Sequence, residues 1–156
     1  MSKACQAEFP LPRNRNELKM KKQNNTSKRK LKILIVDDLE FPRMVIRNMF
    51  HELGYESHNN ILEAANGLEA LELLQKTRID LIICDWMMPV MTGFELLQRI
   101  RATPELAEIP FIMITVEAEK ENIMGAIKAG VSQYIVKPFT AETLYLKIES
   151  VFAKSQ

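Results

Sequence analysis

Cysteine is scarce in this 156-residue chain. Cys5 and Cys84 stand alone, with no spacing that would build a metal knuckle, a redox pair or a disulfide framework. Two lone thiols suit a reducing compartment. Long apolar runs are missing as well: nothing approaches the roughly 18 consecutive apolar residues that a membrane-spanning helix needs. The segment ahead of residue 31 also lacks the apolar stretch of a secretory signal. These absences predict a cytoplasmic protein with no membrane span. What is present is the composition of a globular domain, 47% apolar and 26% charged. The length suffices for one domain with a real core and is too short for two ordinary ones.

A net charge of +1 conceals an asymmetry. Residues 1–32 carry ten Lys or Arg against Glu8 and Glu17, a balance of +8, which leaves 11 basic and 18 acidic residues, or −7, for 33–156. Residues 1–30 also hold Pro10, Pro12 and several Asn with almost no apolar periodicity, so they read as a disordered basic extension ahead of a folded domain at 31–156. A solvated leader is the first reading. An electrostatic contact with an anionic surface, a nucleic acid or the acidic body is the alternative, with nucleic acid the weakest of the three. Met20 is a second candidate start of translation.

From Lys32 two kinds of segment alternate. Ile33-Leu34-Ile35-Val36, Ile61–Ala65, Leu81–Cys84, Phe111–Thr115 and Tyr134–Lys137 are short, apolar runs bounded by polar residues or turns, the pattern of buried parallel strands. Between them lie helical periodicities: Ile46, Phe50 and Leu53, stopped by Gly54; Leu68, Leu71 and Leu74 after Asn66-Gly67; Phe94, Leu96, Leu97 and Ile100; Ile123, Ala126 and Ile127, stopped by Gly130. Leu144, Ile148, Val151 and Phe152 complete the set. Five strands alternating with five helices require right-handed crossovers and a parallel sheet covered on both faces. The expected fold is α/β, a doubly wound five-stranded parallel sheet, with the order 2-1-3-4-5 borrowed from flavodoxin-like folds and not fixed by the pattern itself.

Four of these strands end on chemically useful groups. Asp37 and Asp38 follow the first, Asp85 the third, Thr115 closes the fourth, and Lys137 ends the fifth. Parallel strands bring their C-terminal ends to one edge, where open α/β sheets bind ligands. Three carboxylates that close repel unless cations sit among them. Lys137 supplies one as a compact ammonium, and Mg²⁺, which takes one or two carboxylates, waters and a phosphoryl oxygen, is the natural second. So balanced, Asp85 is placed to act as a nucleophile toward phosphorus and form an aspartyl phosphate, with Thr115 donating its hydroxyl to the attached group.

The residues Val36-Asp37-Asp38, Cys84-Asp85-Trp86-Met87-Met88-Pro89, Ile114-Thr115-Val116-Glu117-Ala118 and Tyr134-Ile135-Val136-Lys137-Pro138-Phe139 resemble the receiver domain of two-component response regulators. The match spans about residues 31–154 and is nearest to the chemotaxis members of that family. The resemblance implies a stand-alone switch rather than an enzyme, with Asp85 phosphorylated by a histidine kinase of the CheA type. It implies Mg²⁺ held by Asp38, Asp85 and the Met87 backbone carbonyl, with Asp37 acting through water. It implies that Lys137 contacts the phosphoryl oxygens beside a cis bond to Pro138. Thr115 and Tyr134 would form the switch, and the face they reshape would bind a flagellar motor switch protein.

Where the chemotaxis members carry Asn, this chain has Met87; Met87 and Glu117 are the positions expected to tune signal decay. The stretch between Gly54 and Ile61 is slightly long for the family, which suggests a surface loop. No output domain follows residue 154, so a protein contact by a monomer is expected, with room for a phosphatase of the CheZ or CheX kind. A haloacid dehalogenase-type phosphatase also uses Asp, Mg²⁺ and Lys, but wants an acid where Met87 stands. A phosphorelay intermediate or a regulator of another pathway would show the same site with a different partner face. His51 and His58, near a helix end and in a loop, suit a phosphoryl-carrying role poorly.

Overall fold

The computed structural model describes residues 30–55, 60–116 and 120–154. The basic extension, the long stretch after Tyr55, His58 and Glu117 lie outside the described residues, and so do the expectations placed on them. The described chain alternates strictly: β1 (Ile33–Val36), α1 (Glu40–Glu52), β2 (Ile61–Ala64), α2 (Gly67–Lys76), β3 (Leu81–Asp85), α3 (Gly93–Ala102), β4 (Phe111–Thr115), α4 (Lys120–Lys128), β5 (Gln133–Val136) and α5 (Ala141–Ala153). The sheet order is β2-β1-β3-β4-β5 with every pair parallel, as expected.

The strand sequences explain the two-sided burial. Side chains alternate across a strand, so Ile33, Ile35, Leu81, Ile83, Ile112 and Ile114 pack on one face, under Ile46 and Phe50 of α1 and Leu144 and Ile148 of α5. Leu34, Val36, Ile82, Cys84, Phe111 and Met113 pack on the other, under Ala70 and Leu74 of α2 and Leu96, Leu97 and Ile100 of α3. A strand buried on both faces needs an unbroken apolar run, and β1, β3 and β4 have one.

Four details differ from the periodicity. Leu68, counted toward the sheet, is 47% exposed, because α2 starts at once at Gly67 and its inward face runs Gly67, Ala70, Leu74. Small residues at the first two of those positions carry little hydropathy, so the leucines misstate the phase. Ile127 of α4 likewise points outward, at 55% exposure, with Ala126 inward. Phe94 is half-buried and stacks on Trp86, centroids 5.6 Å apart and planes 17° from parallel. The fifth strand sits one residue earlier than the apolar pattern suggests, which leaves Lys137 just beyond it.

Helix starts are built locally. Asn66 accepts the Glu69 N–H at 3.0 Å, and Thr140 accepts the Thr143 N–H at 3.2 Å. At α3 the cap is reciprocal: Thr92 Oγ1 accepts the Glu95 N–H at 3.2 Å while Glu95 Oε2 accepts the Thr92 N–H at 2.8 Å. That box anchors the far end of the loop that leaves Asp85.

Candidate functional site

The carboxylates meet where the topology requires. Asp37 is the first residue past β1 and is 2% exposed, while Asp38 beside it and Asp85 at the end of β3 are half-buried. An oxygen from each lies within 4.8 Å of the others. Lys137, the first residue past β5, places Nζ 2.9 Å from Asp85 Oδ1 and 3.5 Å from Asp37 Oδ2. Three carboxylates against one ammonium leave a formal charge of −2.

Asp37 is fixed from several directions. Its N–H donates to the Ala64 carbonyl at 3.2 Å, its carbonyl accepts Arg43 Nη1 at 2.7 Å, and Oδ1 accepts the Leu39 N–H at 2.9 Å. Oδ2 is buried without a hydrogen bond; at 3.5 Å the Lys137 contact is an ion pair only. A buried, unbonded carboxylate oxygen costs free energy unless a cation engages it. Oxygen donors of this number and charge fit a hard divalent ion such as Mg²⁺.

Protonation follows from the same geometry. Burial lifts the Asp85 carboxyl above the ordinary carboxylate value; the Lys137 hydrogen bond and charge oppose this, and the charges of Asp37 and Asp38 add to it. Burial pulls the Lys137 ammonium down, but the hydrogen bond and charge of Asp85, and then the charge of Asp37, overcome it and leave the pKa raised. Lys137 is therefore a fixed cation at neutral pH. Asp85 has a carboxylate less well solvated than in water, the condition of a reactive oxygen anion.

The remaining expected residues surround this cluster. Thr115, 7% exposed, closes β4, and its carbonyl accepts the Lys137 N–H at 2.8 Å, so the two meet through the backbone. Tyr134 on β5 is half-buried against the α2–α3 side, with the Lys147 ammonium 5.3 Å from its ring centre. Met87 is 66% exposed beside Asp85. The Lys137–Pro138 bond is cis. Cys84 is buried, with its thiol pushed well up by burial and then by the charges of Asp85 and Asp37, so it behaves as a small apolar group.

Three residues escaped the sequence reading. A Cβ on Gly93 would overlap the Asp85 carbonyl oxygen and stand 3.0 Å from Met113 Sδ, so this glycine lets α3 close against the Asp85 backbone. The Thr92-x-x-Glu95 capping box beside it was the available signal. Val90, φ 69°, holds a left-handed backbone that a β-branched residue rarely adopts. Arg43 bonds the Asp37 carbonyl six residues back and Glu63 on β2, and no hydropathy pattern marks either contact.

Comparison with known proteins gives one answer. The family model described as the response regulator receiver domain matches residues 33–149. The chain is 48% identical over 124 residues to the chemotaxis protein CheY-3 of Vibrio cholerae, a match covering 80% of this chain and 93% of that one. It is 44% identical over 124 residues to the chemotaxis protein CheY of Pseudomonas aeruginosa, covering 80% and 98%. The solved structure of the chemotaxis response regulator CheY4 of Vibrio cholerae superposes with a TM-score of 0.70 at 37% identity, covering 78% of this chain and 98% of that one. The fold, the strand-end acids with their lysine, and these relatives agree: the chain belongs to the response regulator receiver domain family, closely related to the CheY chemotaxis regulators.

Proposed function

We propose that this protein is a cytoplasmic phosphorylation switch that takes a phosphoryl group on Asp85 from a histidine kinase and, in chemotaxis, passes the signal to a flagellar motor protein. The observation that carries the reading is the 2.9 Å contact between Lys137 Nζ and Asp85 Oδ1 inside a cluster of three carboxylates. Asp38, Asp85 and the Met87 carbonyl, with Asp37 behind them, would hold Mg²⁺, which neutralises charge on the phosphoryl oxygens when bound.

The Asp85 oxygen attacks phosphorus, forming a P–O bond as the P–N bond to the donor histidine breaks. Lys137, already within reach of Asp85, exchanges part of that contact for a phosphoryl oxygen and keeps the site neutralised. Thr115 at the neighbouring strand end then donates its hydroxyl to the phosphoryl group. Because its carbonyl is tied to Lys137, movement of β4's end and of the β5 end are coupled, and Tyr134 follows inward.

Inverting a 1:99 equilibrium takes about 5.5 kcal/mol. Two or three hydrogen bonds to a charged group, at roughly 1.5–3 kcal/mol each, supply it. The face to be switched is suited to a protein partner: Met124 and Ile127 of α4 are 49% and 55% exposed. Such outward apolar residues support a contact surface.

Trp86, the only tryptophan, adjoins Asp85 and reports on it. Mg²⁺ followed by acetyl phosphate is expected to change its fluorescence in two steps, and Asp85→Asn to abolish the second. A parent protein silent to the phosphodonor in saturating Mg²⁺ overturns the mechanism. Pull-downs with and without a phosphoryl mimic then separate a motor partner from an output in another pathway.

A further inference from the structure

Arg43 and Glu63 take no part in the mechanism above, yet they are tied to it. Glu63 lies on the edge strand β2, in register with Ile35 of β1. Its Oε2 accepts Arg43 Nε at 3.0 Å, and Arg43 Nη1 donates at 2.7 Å to the carbonyl of Asp37. A second arginine one helical turn on, Arg47, pairs with the other oxygen of Glu63 and makes no contact of this kind with Asp37. Arg43 is 15% exposed, Glu63 23% and Arg47 39%, so the bridge to Asp37 is the more buried of the two.

We propose that Arg43, oriented by Glu63, is a positioning residue for the cation-binding carboxylates: its hydrogen bond to the Asp37 carbonyl fixes the end of β1 so that Asp37 Oδ2 stays unbonded toward Asp38, Asp85 and Lys137. The inference rests on the reading that this cluster binds a divalent cation.

The physical case has three steps. First, the β1 ladder ends at Asp37, whose N–H is held by Ala64; among the described residues Arg43 alone engages its carbonyl, at a residue 2% exposed. Without that donor the carbonyl must turn toward water, and the peptide plane that leads into Asp38 turns with it. Second, Mg²⁺ demands ligands close to 2.0–2.1 Å in near-octahedral array, so a small rotation of this segment is costly. Groups behind the ligands typically change metal affinity about 10–100-fold. Third, one guanidinium engages the Glu63 carboxylate and the carbonyl at once through two of its fixed donors. A lysine ammonium, a point charge, reaches one or the other.

Arg47 provides the control, because removing it takes a charge from the same glutamate while leaving the Arg43 bond to Asp37 in place. The full chain is titrated with Mg²⁺, read by Trp86 fluorescence and by calorimetry, in the parent and in Arg43→Met, Arg43→Lys and Arg47→Met. Amide hydrogen exchange of Leu39, whose N–H is bonded to Asp37 Oδ1, is measured without metal. The expected result is a Kd about tenfold weaker in Arg43→Met, partial recovery in Arg43→Lys, and a change within about twofold in Arg47→Met. Leu39 exchange should quicken in Arg43→Met only.

Arg43→Met binding Mg²⁺ within about twofold of the parent overturns the proposal. So does an equal loss in Arg47→Met, which would mean a general effect of charge or stability. Should Arg43→Met fail to fold, Glu63→Gln, which keeps a neutral acceptor, takes its place with a smaller expected loss. A parent without a saturable Mg²⁺ response contradicts the cation reading instead. Leu39 exchange then still decides whether Arg43 holds the β1 end.

Discussion

Asp37 and Asp85 occupy equivalent places, at the C-terminal ends of adjacent parallel strands, yet their surroundings differ. Asp37 is 2% exposed and gripped through its N–H, its carbonyl and one carboxylate oxygen. Asp85 presents a half-buried carboxylate whose close partner is the Lys137 ammonium, and it opens into a loop with exposed Met87 and Val90. The β1 end is anchored. The β3 end is held in its backbone, while its carboxylate is paired with Lys137 and lies beside the exposed side chains of Met87 and Val90. The comparison teaches a contrast of environment: the Asp37 carboxylate is held rigidly from several sides, whereas the Asp85 carboxylate is more accessible.

The sharpest challenge to this contrast is Gly93→Ala. The Cβ would overlap the Asp85 carbonyl, so α3 and the strand end must move apart. A loss of about 3 kcal/mol by urea unfolding, with a blunted phosphodonor response, is expected. An unperturbed variant would mean that the Asp85 backbone is not clamped.

Next in size is Asp85→Asn, assayed without Mg²⁺. The folded pKa of Asp85 is raised, so the folded state binds this proton more tightly than the unfolded chain, and stability falls as pH rises from about 3.8 through the folded value. The substitution is therefore expected to stabilise the protein at pH 7, and the gain should vanish toward acid pH. Lys137 behaves oppositely. Its raised pKa contributes stability that is present below 10.5 and is lost as pH rises through the folded value, an alkaline loss that Asp85→Asn should reduce. Destabilisation at pH 7 would place Asp85 among the anchored groups.

Val90→Gly tests the loop. Relief of a left-handed valine at an exposed site should outweigh the added freedom of the unfolded chain and stabilise by about 0.5–1 kcal/mol in thermal unfolding. The smallest effect on stability is expected from Met87→Asn, within about 0.5 kcal/mol. Replacing an exposed apolar side chain beside Asp85 with one that hydrogen-bonds water should instead shorten the phosphorylated lifetime, and identical decay in the two proteins would sink that idea.

Much of the molecule was legible in advance because the relevant signals are local. The unbroken apolar runs of β1, β3 and β4 announce strands covered on both faces, and acids or a lysine at their ends announce a shared edge. Gly54, with φ 82°, terminates α1 as its position suggested. Phase errors arose where hydropathy is a poor guide: Ala70 faces the core and Leu68 does not, since a small residue packs closest where helix meets sheet.

By itself the sequence determined the alternation of elements, the parallel sheet and the identity of the converging groups, because periodicity and strand-end chemistry are properties of neighbouring residues. Only the tertiary structure decided how those groups are held. The reach of Lys137 to Asp37 and Asp85, the bridge from Arg43 to Glu63 and the approach of Met113 to Gly93 depend on segments far apart in the chain arriving at contact distance, and no pattern of neighbours encodes that distance.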